Sequence, residues 1–414
     1  MSIVKNPKLA GEGALKIEWA EHHMPVLMAL RQDFLKNKPL KGVSVGFALH
    51  VTKETAVLVR TLIAGGARVA IAGCNPLSTQ DDVAAALAQE GVNVYAWRGQ
   101  SSKEYYENIN RVLDHKPVIT IDDGGDLVFT IHKSRTELLD SIKGGCEETT
   151  TGVLRLRAME KAKALKYPVI ATNDAETKHL FDNHYGTGQS TIDGILRATN
   201  VLFSGKTVVV AGYGWCGKGV AMRAKGMGAS VIVCEVDAVK ALQAAMDGYR
   251  VMPMDEASSM GDIFITVTGD IEVITARHIK NMKDNAILAN SGHFNVEIAI
   301  SDLEKLSKGK KTMRENVEMY TLKDGRRIYL LAEGRLVNLA SAEGHSSEVM
   351  DMSFADQALA CKYINEHKLP AGVHKIPKEL DMLVARMKLE TMGLKMDKLT
   401  KRQLEYLSSW EEGT

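Results

Sequence analysis

The chain has 414 residues, 45% hydrophobic and 25% charged, more than one hydrophobic core ordinarily serves, so two domains are expected. Lysine and arginine total 52 against 51 acidic residues, a formal charge of +1, which gives no long-range field to draw nucleic acid or an anionic membrane; small neutral or zwitterionic ligands fit better. The five cysteines, Cys74, Cys146, Cys216, Cys234 and Cys361, form no CxxC pair or zinc-finger spacing, and no apolar signal core or charge-free span is present, so reduced thiols, no metal and a cytoplasmic location are expected.

From about residue 40, short β-branched runs alternate with helical patterns, the signature of βαβ units around a mostly parallel sheet. Residues 42–49, 67–72, 92–97, 117–122 and 168–172 read as strands. A helix over 53–64 begins after Thr52, and another over 79–90 follows Ser78, an N-cap with Asp81 and Asp82 in its first turn. A second series starts at Gly205, with strands near 206–211, 229–234, 263–268, 285–290 and 328–332. A helix near 183–200 joins the two series, and helical patterns over 347–366 and 376–392 carry the chain back toward the first. The fold class is therefore α/β: two doubly wound Rossmann-like parallel-sheet domains plus a small helical C-terminal segment. The expected divisions are 1–183 with 346–390, then 184–345, then a charged amphipathic end over 391–414.

The second domain carries the first chemical signal. Gly212, Gly214 and Gly217 form GxGxxG directly after an apolar strand and at the mouth of a helix. Glycines there let the turn tighten and the backbone approach a pyrophosphate, which the helix N-terminus attracts. Alone the motif reads as a structural turn. Glu235, 18 residues after Gly217 at the end of the next strand, puts an acid where it accepts both ribose hydroxyls and repels a 2′-phosphate. NAD is favoured over NADP, and 184–345 is the expected NAD-binding domain.

Ligands bind outside the carboxyl ends of parallel strands. In the first domain His50, Asp122, Asp123, Asn173 and Asp174 all follow strands. Any one of them reads as a loop cap or a satisfied histidine, but together they converge on one crevice.

Seven segments then share a family likeness: LHVTKETAVLV (49–59), DDGGDL (122–127), EETTTGV (147–153), NDAETKHLFDNHYG (173–186), GYGWCGKG (212–219), NSGHFNVEI (290–298) and LAEGRLVNLASAEGH (331–345). In content and order they resemble adenosylhomocysteinase. The resemblance implies a hydrolase whose bound NAD oxidises the ribose 3′-hydroxyl, so that the 4′-proton becomes acidic and the thiolate at C5′ leaves; water adds and the ketone is reduced again.

It also implies roles. Lys178, Asp182 and Asn183 stand beside the 3′-hydroxyl, with Lys178 expected to carry a depressed pKa near NAD and to act as base. One helical turn separates Lys178 from Asp182, so both can face one ligand; alone they would read as a surface ion pair. Asp123 is the candidate for the 4′-proton, His50 and His293 for C5′ and the sulfur. Glu148 is the candidate clamp on the ribose hydroxyls, and Thr52 and Glu54 the purine contacts, although Glu54 also reads as a solvated first-turn acid. His345 resembles a gate between the domains. The expected NAD contacts are Thr149, Thr150 and Thr151, then Gly212, Gly214, Trp215, Cys216, Gly217, Lys218 and Gly219, then Glu235, Lys240, Ser291, Gly292, His293, His345 and Asn338, the last for the nicotinamide amide.

The sequence also departs from the family pattern. Thr187 stands where many members have cysteine, Lys240 replaces an asparagine, Glu343 replaces an apolar residue, and the chain stops soon after KLTKRQLEYLSSW. The long form's lysine/tyrosine tail is thus not expected, nor its grip on a neighbour's NAD, and NAD should be held more weakly or supported differently. The resemblance implies a homotetramer built partly by 391–414. Hypoxanthine rivals adenine as the purine, which would make S-inosylhomocysteine the substrate. A silent NAD-binding paralogue would have lost some of His50, Asp123, Glu148, Lys178, Asp182 and His293, and all six are present. An ordinary dehydrogenase would release NADH.

Overall fold

The computed structural model describes residues 2–410. Six strands come first: β1 Ser44–Ala48, β2 Arg68–Ala72, β3 Asn93–Tyr95, β4 Ile119–Asp122, β5 Gly144–Glu147 and β6 Pro168–Ala171. Eight more follow: β7 Thr207–Ala211, β8 Ser230–Cys234, β9 Arg250–Val251, β10 Ile263–Thr266, β11 Ala286–Asn290, β12 Ser307–Arg314, β13 Val317–Leu322 and β14 Arg327–Leu331. The last, β15 Gly372–Lys375, returns to the first group.

The first sheet runs β15-β6-β5-β4-β1-β2-β3, entirely parallel; the second runs β12-β13-β14-β11-β10-β7-β8-β9, parallel except for the β12–β13–β14 edge. Both sheets are doubly wound. In each, strand order reverses at the first strand of the series, β1 between β4 and β2 and β7 between β10 and β8, so each has a switch-point crevice at its strand ends. The central strands are continuous apolar runs, as burial on both faces demands: β1 and β11 are buried along their whole length.

Two predicted elements shift. The helix expected over 79–90 spans Asp81–Gln89 with Gln80 at its cap, because the Ser78 hydroxyl is engaged 2.7 Å from His50 Nδ1. The second sheet gains an antiparallel edge, where the Lys-rich strand β12 is exposed from Lys308 onward. Charge on an outer strand discourages pairing with another sheet.

The chain crosses between the sheets twice. Glu176–Lys178 opens helically, His179–Gly186 winds as a π-helix, and Thr187–Thr199 continues as an α-helix packed on the second sheet. The helix Ser347–Glu366 returns to the first sheet and is buried over most of its length, followed by Lys378–Thr391. The end carries one exposed helix, Lys401–Ser408; residues 411–414 of the expected terminal segment lie outside the described residues.

Candidate active site

Three adjacent strands of the first sheet deliver side chains to one point. Asp123, His50 and Cys74 follow the carboxyl ends of β4, β1 and β2. His50 Nε2 lies 3.2 Å from Asp123 Oδ2, and Cys74 Sγ donates to the same oxygen at 3.7 Å. From the second sheet, His293 Nδ1 comes within 3.4 Å of Asp123 Oδ1, so one carboxylate sits between imidazoles of both domains. That approach needs Gly124, where φ is +101° and a Cβ would strike the His293 ring. Burial pushes His50 down to about 4 against the pull of Asp123, leaving the imidazole neutral at neutral pH. Asp122 instead organises the turn, accepting the Asp123 and Val128 N–H groups, and Asp174 pairs outward with Arg157.

A second cluster sits on the linker. Lys178 Nζ is 3.3 Å from Asp182 Oδ1, and donates to Asn183 Oδ1 at 2.7 Å and Asn173 Oδ1 at 3.3 Å. Both members of the pair are almost wholly buried, which removes the surface-pair reading. Burial opposes the Lys178 ammonium, but Asp182 and Glu148 outweigh it and its pKa is raised, contrary to the depressed value expected from desolvation. Burial likewise resists Asp182, yet Lys178 and His345 hold its carboxyl well below the usual range. Asp182 also accepts the Ser353 hydroxyl at 2.9 Å and faces His345 Nδ1 at 3.2 Å. Beside it, Glu148 is pushed up to about 8 by burial, with Lys178 pulling down and Asp182 pushing up. Gln357 Nε2 donates to Glu148 Oε2, whereas Oε1 has no hydrogen-bond partner among the described residues.

Thr52 caps the helix Lys53–Ala64 by accepting the Thr55 N–H. Glu54 is 1% exposed, so it is not a solvated acid; its Oε1 accepts the Ser347 hydroxyl at 2.7 Å and lies 3.2 Å from Lys53 Nζ. Lys53 in turn reaches Glu343 at 2.9 Å, across the domain boundary.

The second sheet supplies a cradle made largely of backbone. The chain leaves β7 through Gly212, with φ +100°, and a Cβ on Gly217 would overlap the Gly212 carbonyl oxygen. Gly214 faces open space, and the helix Trp215–Gly226 begins there without a side-chain cap. Glu235 accepts N–H groups of Tyr213 at 2.6 Å, Val236 at 2.7 Å and Asp237 at 3.0 Å, and retains lone pairs for hydroxyl donors. Lys218 stands over the Trp215 ring at 4.5 Å, and Cys216 Sγ accepts the Thr187 hydroxyl at 3.5 Å.

Across the cleft, Ser291 and Thr191 hydroxyls meet at 2.6 Å and the Gly292 N–H donates to Asn290. Asn338 Nδ2 donates to Ser190, while its buried Oδ1 has no hydrogen-bond partner among the described residues. From the first domain, Thr149 caps the helix Thr150–Lys161, Thr150 accepts from Asn173 and Thr151 faces Gly269. The two sheets enclose a cleft of about 1590 Å³, beyond the roughly 300–1,000 Å³ of one small-molecule pocket. It takes in the expected side chains from both domains, including Lys240 at its exposed edge.

A model of the S-adenosyl-L-homocysteine hydrolase NAD binding domain matches residues 183–344, and one of S-adenosyl-L-homocysteine hydrolase matches 2–140. This chain belongs to the S-adenosyl-L-homocysteine hydrolase family. It is 61% identical to a protein of Methanocaldococcus jannaschii named S-inosyl-L-homocysteine hydrolase, with all of both chains covered. It is 62% identical to a Methanosarcina mazei protein of that name, over 98% of this chain and 99% of the other. It is 59% identical to a Sulfurisphaera tokodaii protein named adenosylhomocysteinase, over 99% of each.

The hydrolase uses NAD, and its residues fit that group. The Gly212–Gly217 turn leaves room for a pyrophosphate, Glu235 for ribose hydroxyls, and the free Asn338 Oδ1 for an amide donor. Of the expected NAD contacts, Gly217 and Gly219 stand outside the cleft lining. A Cβ on Gly219 would overlap the His184 carbonyl oxygen, so its smallness seats the helix against the linker.

Sequence reasoning missed the support on the return helix. Ser353, Asp356 and Gln357, all fully buried, bond Asp182, Thr177 and Glu148 in turn. Polar residues spaced i, i+3, i+4 in a helix that is otherwise apolar there were the available signal. Cys74 and Ser78, beside His50 and Asp123, were missed because neither belongs to the quoted motifs.

Proposed function

We propose that this hydrolase cleaves S-adenosyl-L-homocysteine reversibly to adenosine and L-homocysteine. The observation that carries the reading is the pairing of two buried proton-handling clusters, Lys178/Asp182/Asn183 and His50/Asp123/His293, in one cleft beside a dinucleotide cradle. In this reading residues 1–183 and 346–390 hold the substrate and 184–345 hold NAD.

NAD, when bound, supplies the hydride acceptor and later the hydride donor for the 3′-carbon. Lys178, oriented by Asn173 and Asn183, takes the 3′-hydroxyl proton, while Asp182 fixes its position. The resting acids favour the Lys178 proton, so the bound ligands must offset them. Glu148 clamps the ribose hydroxyls through its free oxygen. Asp123 takes the 4′-proton, and His50, neutral in its buried place, shares with His293 the proton transfer to the leaving sulfur and from the added water. Thr52 and Glu54 receive the purine, and His345, 3.2 Å from Asp182, acts as the gate between the domains. Closure over the cleft keeps water from the reactive ketone.

A second reading takes S-inosyl-L-homocysteine as the preferred substrate. The buried Glu54 carboxylate is an acceptor, and it suits the N1–H of hypoxanthine as well as the exocyclic amine of adenine. We further read the protein as a cytoplasmic homotetramer with no nucleic-acid or membrane partner. Exposed Leu394, Met396, Leu399, Leu404 and Leu407 support an oligomer contact in 391–414, the near-neutral charge argues against nucleic acid, and among the described residues no helix is long and apolar enough to cross a membrane. Light scattering behind size exclusion checks the assembly.

The test follows free homocysteine and NADH absorbance with both thioethers. Thiol release without net NADH supports the hydrolase, and the ratio of kcat/KM values ranks the purines. NADH accumulation without thiol release, or no thiol from either substrate with NAD still bound, overturns it.

A further inference from the structure

We propose that His50, Cys74 and Asp123 form a binding site for a soft divalent cation of the Zn²⁺ class, whose occupancy blocks the reaction. The three residues are far apart in sequence, so no metal-binding spacing announces them. β4, β1 and β2 are neighbours, and their ends bring an oxygen, a nitrogen and a sulfur ligand within 4.8 Å of one another.

The separations suit a tetrahedral ion. His50 Nε2 to Asp123 Oδ2 is 3.2 Å, and Cys74 Sγ to the same oxygen 3.7 Å. Bonds of about 2.0–2.3 Å to nitrogen, oxygen and sulfur separate tetrahedral ligand atoms by roughly 3.3–3.8 Å. The donor set is one that Zn²⁺ or Co²⁺ prefers to Mg²⁺ or Ca²⁺. Ser78 Oγ lies 2.7 Å from His50 Nδ1, which fixes the ring with Nε2 toward the ion. Asp123 Oδ2 is the oxygen that faces both His50 and Cys74, and so the one that would ligate the ion. Binding exchanges the Cys74 S–H bond for an S–metal bond, with the proton released to solvent and no change of oxidation state.

Cys74 has no part in the chemistry proposed above, whereas His50, Asp123 and His293 do. An ion there ties up the groups that serve C4′ and C5′. The blocking half therefore rests on the proposed function, but metal binding itself does not.

The holoenzyme, freed of metal by chelator, is titrated with Co²⁺ and, separately, assayed with free Zn²⁺ set by a metal buffer. The expected result is a near-ultraviolet thiolate-to-cobalt band saturating at about one ion per chain, with activity lost as Zn²⁺ rises and restored by chelator. In Cys74→Ser the band disappears, and the Zn²⁺ needed for half-inhibition, referred to that variant's own metal-free rate, rises at least about tenfold. Cys361→Ala, in the core and away from the cleft, keeps both responses. No thiolate band, a band lost in C361A but kept in C74S, or binding without inhibition overturns the proposal. Thiol release by the metal-free enzyme separately tests the underlying function.

Discussion

The first sheet's strand ends and the glycine turn of the second sheet both serve the cleft, by opposite means. In the first, buried charged side chains are specified one by one: Asp182 is held between Lys178, Ser353 and His345, and Asp123 between two imidazoles. In the second, shape comes from backbone, with Gly212 at positive φ and Gly217 against a carbonyl oxygen, while Trp215 and Val236 stand exposed at the rim. Thus a change of charge should damage the first region, and a change of volume the second.

The largest expected effect is Asp182→Ala. It leaves Lys178 and His345 without their shared carboxylate, and breaking one side of a buried pair costs about 3–5 kcal/mol. Thiol release should fall by on the order of 10²–10⁴-fold. Calorimetry separates the stability loss from the rate loss, and a variant within a few fold of wild type would break the comparison.

Gly217→Ala is the counterpart. Its single added methyl must displace the Gly212 turn, so NAD affinity should fall by at least tenfold, about 1.4 kcal/mol, while the first sheet's contacts are spared. Equilibrium dialysis of NAD checks it; unchanged affinity would show that the turn adjusts.

Glu148→Gln sharpens the electrostatic side. The folded carboxyl, raised from 4.5 to about 8, binds its proton more tightly than the unfolded one. Between those values the native state holds more protons, so this group makes stability decline as pH rises, by up to about 1.4 kcal/mol per unit. The substrate-free variant should have a flatter denaturation midpoint between pH 5 and 8. Lys240→Ala is the smallest, since the side chain is exposed and the hydrogen bond to Asp237 comes from the backbone N–H, which alanine keeps; midpoint changes within about 0.5 kcal/mol are expected.

Legibility in the sequence followed the same division. The turn at 212–217 and the apolar central strands were readable because local sequence determines them. β5, with its run Gly144-Gly145, escaped because glycine is a poor strand former, and β12 because an exposed Lys-rich edge has no apolar alternation. The raised Lys178 pKa was not readable, since Glu148 is brought beside it only by the fold. The interlock of Gln357 with Glu148 and Thr172 likewise spans some 200 residues.

The helical passage from Glu176 to Thr199 has a consequence for how such chains diverge. Lys178 and Asp182 ride on the seam that joins the two halves, and Ser353 and His345 secure them from the other crossing. The halves are therefore poor units of recombination. A chimera joined near residue 183 would inherit the seam from one parent and its fastenings from the other, whereas one that keeps 173–199 and 337–357 from a single parent keeps the seam and its fastenings matched.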